Sequence, residues 1–76
     1  MDSKTTLGET VRALREQRGL TQEELGRLVG VGQGMIGHIE TGRRQPALHT
    51  AMLLARALHV SIDELMMDEA GEMLPA

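Results

Sequence analysis

The sequence contains no cysteine and no phenylalanine, tyrosine or tryptophan. The first absence excludes a disulfide scaffold and any thiolate metal site, and it fits a reducing compartment. The second leaves Leu, Val, Ile, Met and Ala to build whatever core exists. A chain of 76 residues buries only about 60% of the surface its unfolded form exposes. Without aromatic rings the buried area per residue falls further, so a partner subunit would help. Long apolar runs are absent too. None approaches the roughly 20 residues that cross a bilayer, and the start, MDSKTTLGET, lacks the apolar centre of a signal peptide. The expectation is a cytoplasmic domain with no membrane partner.

An excess of positive charge is also missing, with 8 basic against 11 acidic residues. The distribution matters more than the total. All eight basic residues lie within positions 1–60, against six acids. Positions 61–76 carry Asp63, Glu64, Asp68, Glu69 and Glu72 and no base. The chain is thus a mildly positive body with a negative end.

What is present is a series of short helical patterns separated by turn residues. Leu7, Val11 and Leu14 recur at i, i+4, i+7, which predicts a helix over about 6–18, stopped by Gly19. Thr21-Gln22-Glu23-Glu24 spells a capping box, and Leu25, Leu28 and Val29 give a buried stripe for a second helix ending at Gly30. Ile36 and Ile39, with Val31 ahead of them, predict a third helix over about 33–41, closed by Gly42. The fourth, about 47–58, is expected to bury Leu48, Ala51, Met52, Ala55 and Leu58. A second capping box, Ser61-Ile62-Asp63-Glu64, opens a fifth helix to about Met67. No segment alternates as a strand would.

Gly32-Gln33-Gly34-Met35-Ile36-Gly37 matches the G-x-G-x-x-G spelling of a dinucleotide-binding turn. That turn requires a strand before it, a helix after it and an acid about 20 residues on. Here a capped helix precedes it, and Asp63 lies too far on and inside its own capping box. The glycines fit another pattern: a helix, the turn Gly30-Val31-Gly32, and a second helix.

With the blocks LREQRGLTQEELGRLVGV, IGHIETGRRQPAL and ARALHVSIDEL, the chain from Leu7 to Leu65 resembles the family of Cro and the phage-repressor amino-terminal domains. The resemblance implies an all-α, five-helix, lambda-repressor-like fold with a helix-turn-helix formed by helices 2 and 3. It implies a DNA-binding domain over 6–67, an N-terminal arm at 1–5 and an acidic, flexible tail at 68–76. The function it implies is transcriptional regulation by a bacterial or phage homodimer on double-stranded DNA, at a palindromic operator. The third helix would lie in the major groove, presenting Gln33, Gly34, Met35, Gly37 and His38. The Gln33 carboxamide suits an adenine edge, and Met35 either meets a thymine methyl or packs inward. Gln22 matches a phosphate-contacting position at a helix N-terminus, and Arg43 and Arg44 match the loop along the DNA backbone. Arg15 and Glu40 correspond to a pair that ties the first helix to the third. Leu53, Leu58, Val60, Ile62, Leu65 and Met66 are expected to form the dimer surface.

Three departures from the family pattern stand out. Gly32 and Ala47 replace capping hydroxyl residues, and Gly34 and Gly37 remove side chains from the recognition face. Readout should therefore be narrow, or lean on DNA shape. His38, His49 and His59 have no metal-ligand spacing, the methionines read as core and subunit contact, and no nucleophile and base pair up, so neither a cofactor, a metal nor an enzyme is expected. The alternative is a protein-interaction module of the same fold, an antitoxin or anti-repressor, whose acidic end captures a protein partner.

Overall fold

The computed structural model describes residues 6–71, with side-chain surroundings for 6–66. They form five helices: α1 (Leu7–Gln17), α2 (Gln22–Val29), α3 (Gln33–Glu40), α4 (Leu48–Ala57) and α5 (Ile62–Gly71). No strand occurs among the described residues. The order and boundaries follow the sequence pattern except at the end. There α5 runs to Gly71, past the expected stop near Met67, so the first residues assigned to the tail are helical. The arm at 1–5 and the last five residues lie outside the described region.

Three helix starts are fixed by reciprocal capping. The Thr21 hydroxyl accepts from the Glu24 N–H at 3.0 Å, and the Glu24 carboxylate accepts from the Thr21 N–H at 2.8 Å. Ser61 and Glu64 do the same for α5, at 2.9 and 3.1 Å. So do Thr6 and Glu9 for α1, at 3.2 and 3.1 Å, a third box beside the two that the sequence pattern marks. Each box satisfies two N–H groups that a helix start otherwise leaves unpaired. At Gly32 and Ala47 no side chain caps α3 or α4, as their sequence predicts.

The α2–α3 turn is closed by Gly30, at φ 89°, where only glycine is free of Cβ strain. The N–H groups of Gly30 and Val31 both donate to the Gly26 carbonyl, at 2.7 and 2.9 Å. The α4–α5 connection reverses through His59 at φ 60°, with the Val60 N–H reaching the Ala55 carbonyl and the His59 N–H the Arg56 carbonyl. This is a Schellman closure with histidine in the place that glycine usually holds.

The core joins Leu7 and Val11 of α1, Leu25 and Val29 of α2, Ile36 and Ile39 of α3, Leu54 and Ala55 of α4, Leu58, and Leu65 of α5. Two expected stripes are corrected. Leu28 is 60% exposed, and in α4 Leu48 and Met52 lie outside at 71% and 49%, whereas Leu54 is fully buried. Because α4 is apolar on several sides, its period alone does not fix its rotation, and packing against α2 and α5 chooses the Ala51-Leu54-Ala55-Leu58 side.

Two glycines let backbones approach. A methyl on Gly8 would overlap the carbonyl oxygens of Ile39 and Glu40, the latter 2.6 Å away. One on Gly26 would stand 2.6 Å from the Val31 carbonyl oxygen. The first contact presses the start of α1 onto the end of α3; the second seats α2 on the turn.

An ion pair holds the other side of α3. Arg15 Nε donates to Glu40 Oε2 at 2.6 Å and Nη2 donates to Oε1 at 3.1 Å. Nη1 donates to the Leu20 carbonyl at 2.8 Å. The side chains are only 11% and 3% exposed. The hydrogen bond with Glu40 raises the Arg15 guanidinium above its ordinary range; burial opposes this, and the charges of Glu40 and Glu16 add to it. The expected pairing is therefore present and bidentate, with a third tie to the α1–α2 turn that no sequence pattern announces.

The glycine contacts predict opposite outcomes for two identical substitutions. Gly8→Ala meets rigid carbonyls and should destabilise the domain by about 1–3 kcal/mol. Gly37→Ala, whose new Cβ would meet only the Gln22 side chain, at an ordinary contact distance of 3.6 Å, should stabilise it by about 0.5–1 kcal/mol through helix propensity. Urea denaturation of the two variants checks the pair, and equal effects would contradict the packing described.

Candidate nucleic-acid interface

The two helices around Gly30 present one end of α3 to solvent. Ile36, Ile39 and Glu40 are its buried residues, held against α1 and α2. Gln33, Gly34 and His38 are left exposed, and Met35 and Gly37 half-buried. The one acid of α3, Glu40, is turned into the domain and neutralised by Arg15. The outer side of the helix thus carries amide, imidazole and backbone groups but no negative charge.

Just beyond α3, Arg43 and Arg44 are exposed, and neither enters an ion pair among the described residues. Their backbone N–H groups both donate to the His38 carbonyl, at 2.8 and 3.1 Å, which fixes the loop against the end of the helix. The Thr41 hydroxyl donates to the Gly37 carbonyl at 3.1 Å. By contrast, Arg12 and Arg27 are paired along their own helices with Glu16 and Glu23. Two cations without an ion pair among the described residues therefore follow the C-terminal end of α3. Chemically, the surface offers a carboxamide at the start of the helix that can donate and accept at once, and cations beyond its end able to meet phosphate.

Among the expected site residues, one packs as its second alternative allowed and two need correcting. Met35 is half-buried and packs against the core, lining a depression of about 210 Å³ with Val31, Ile39, Pro46 and Thr50. Leu58 and Leu65 are 0% and 1% exposed in the single chain, so they serve its own core and are withdrawn from the dimer surface. Leu53, Val60, Ile62 and Met66 remain, half-buried on the outside of that core.

Gln22 is placed unexpectedly. Its side chain crosses from α2 to α3, and its Nε2 donates to Glu40 Oε1 at 3.1 Å. Sequence reasoning had the residue but not this bond, because spacing along the chain carries no sign of it. The three histidines stay apart in sequence, and no group of three or more potential metal ligands comes together among the described residues.

Comparison with known proteins agrees with this architecture. A family model described as helix-turn-helix matches residues 11–65. Control protein C.SmaI of Serratia marcescens is 38% identical over 66 residues, which is 87% of this chain and 79% of that protein. The crystal structure of the P22 c2 repressor in complex with synthetic operator 9T superposes with a TM-score of 0.79 at 32% identity, over 82% of this chain and 94% of that one. The restriction-modification controller protein C.AhdI from Aeromonas hydrophila gives 0.76 at 37% identity, over 79% and 91%. With its five helices, its Gly30 turn and its matched span, the chain belongs to the helix-turn-helix family and has the fold of the phage-repressor domains.

Proposed function

We infer that this helix-turn-helix regulator binds double-stranded DNA as a homodimer, with α3 entering the major groove at each half of a palindromic operator. The observation that carries the reading is the division of α3. Its apolar side and its only carboxylate are locked into the domain, while Gln33 at its start and His38 in its last turn are exposed, and two arginines with no ion pair among the described residues follow its C-terminal end. Gln33 is assigned to an adenine edge, His38 to a base or phosphate, and Arg43 and Arg44 to phosphates. The controller and repressor relatives support the regulatory role, and no enzymatic role is assigned. The acidic end repels phosphate and is left to a protein partner.

For the dimer, Leu53, Val60, Ile62 and Met66 form the proposed contact around the α4–α5 connection. A two-fold contact there sets the spacing of the two recognition helices, which must reach half-sites about one helical turn apart.

Fluorescence titration of labelled duplexes should show binding that weakens steeply with salt, as counterion release requires. The double variant Arg43→Ala, Arg44→Ala should lower affinity for all sequences alike and flatten the salt slope by about 0.9 per lost phosphate contact. Gln33→Ala should cost about 1–3 kcal/mol at one base pair only. Binding that ignores salt would contradict the assignment. Separately, Met66→Asp should convert the protein from dimer to monomer in sedimentation equilibrium while keeping its helical circular dichroism. A dimer that survives would place the contact elsewhere.

A further inference from the structure

The recognition helix has two glycines where side chains would meet a groove, yet one gap is filled from outside. A Cβ built on Gly37 would stand 3.6 Å from Gln22 Nε2, 3.7 Å from Oε1 and 3.9 Å from Cδ. Nε2 and Oε1 are the nearer atoms and Cδ the farther, so it is the amide end of Gln22 that is turned toward the glycine. Gly37 is four residues after Gln33, hence on the same side of α3 and one turn further along. The amide of Gln22 therefore lies where a side chain longer than alanine at the half-buried position 37 would extend.

Its orientation is also fixed. Nε2 donates to Glu40 Oε1 at 3.1 Å, and that carboxylate is itself held by two bonds from Arg15. The reverse setting would place the amide oxygen against a carboxylate oxygen, acceptor on acceptor, so the nitrogen must face inward. One hydrogen of Nε2 is thereby used. The other, and Oε1, have no partner among the described residues. A half-buried amide anchored in this way loses little side-chain freedom on binding, which favours a defined contact. Such an amide could serve a phosphate or a base, and its place in the row of Gln33 is what favours a base edge.

We propose that Gln22, seated on Gly37 and oriented by Glu40, reads one base edge, so that α2 supplies the second amide of the recognition row beside Gln33. In this role Gly37 is not a lost contact but the seat that gives Gln22 access. The expected base is adenine, whose N6 and N7 match one amide N–H and one carbonyl oxygen. This inference rests on the DNA-binding reading above and assigns Gln22 a different role from the phosphate contact that family resemblance suggests.

The test is selection from random-sequence duplexes, followed by affinity measurements on the selected site and its single-base variants. Four proteins enter it: the parent, Gln22→Ala, Gly37→Ala and Gly37→Met. Gln22→Ala should lose a preference of about tenfold or more at one base pair, with the other positions unchanged. Gly37→Ala, whose methyl fits at ordinary contact, should keep that preference. Gly37→Met, which retains Gln22 but fills its seat, should lose or alter it at the same base pair. An equal loss for every duplex in Gln22→Ala would make the residue a phosphate contact and overturn the proposal alone. Full retention of the preference in Gly37→Met would also overturn it. A parent protein that binds no duplex even at low salt would overturn the DNA-binding reading and this inference together.

Discussion

The guanidinium of Arg15 is the point at which three parts of the domain meet. It donates to both oxygens of Glu40 at the end of α3 and to the Leu20 carbonyl in the turn before α2. Through Glu40 it also fixes Gln22 at the start of α2. Apolar contacts do this less sharply, because hydrophobic burial is non-directional and leaves a helix some play about its axis. A bidentate pair at 2.6 and 3.1 Å does not tolerate it. The core holds α3 in the domain, and the ion pair decides which of its sides looks out.

That division of labour suits a small domain without aromatic residues. Its core is a single layer of aliphatic side chains, with little surplus stability to position anything accurately. The remaining accuracy comes from polar contacts at helix ends. Three capping boxes fix where α1, α2 and α5 begin, and Gly8 allows α1 to touch the end of α3 with no side chain between them. The recognition helix itself is poorly supported from within, with no side-chain cap and two glycines after its first residue. Its stability and orientation are borrowed from α1 and α2. The same borrowing supplies the amide over Gly37.

Much of the fold was legible in the sequence because its signals are local. Thr21 and Glu24, Ser61 and Glu64, and the glycine at 30 each mark a helix end within four residues, and the structure has those ends. The dismissal of the glycine-rich match as a nucleotide cradle rested on the same local evidence, a capped helix where a strand was required. The rotation of α4 was not legible, since Leu48, Met52 and Leu54 are equally apolar and only packing separates them. For a similar reason the pattern does not separate the exposed Leu28 from a buried residue, nor the buried Leu65 from one at a subunit surface. In the candidate site the residues were legible and their contacts were not. Gln22 and Glu40 are 18 positions apart, and nothing in either residue's neighbourhood announces the bond. Gly37 looked like an empty position because the side chain that covers it belongs to another helix.

If the ion pair exists to aim α3, then stability and DNA affinity should separate when it is removed whole. The decisive measurement is a double-mutant cycle on Arg15→Met and Glu40→Met, reading urea stability and affinity for the selected duplex in the same four proteins. Each single substitution leaves a buried charge unmatched and should destabilise the domain by about 3–5 kcal/mol. The double substitution should recover most of that stability, yet bind the duplex at least tenfold more weakly than the parent and with blurred base preference. A double variant that binds as tightly and selectively as the parent would contradict the account, because the apolar core alone would then suffice to aim the helix.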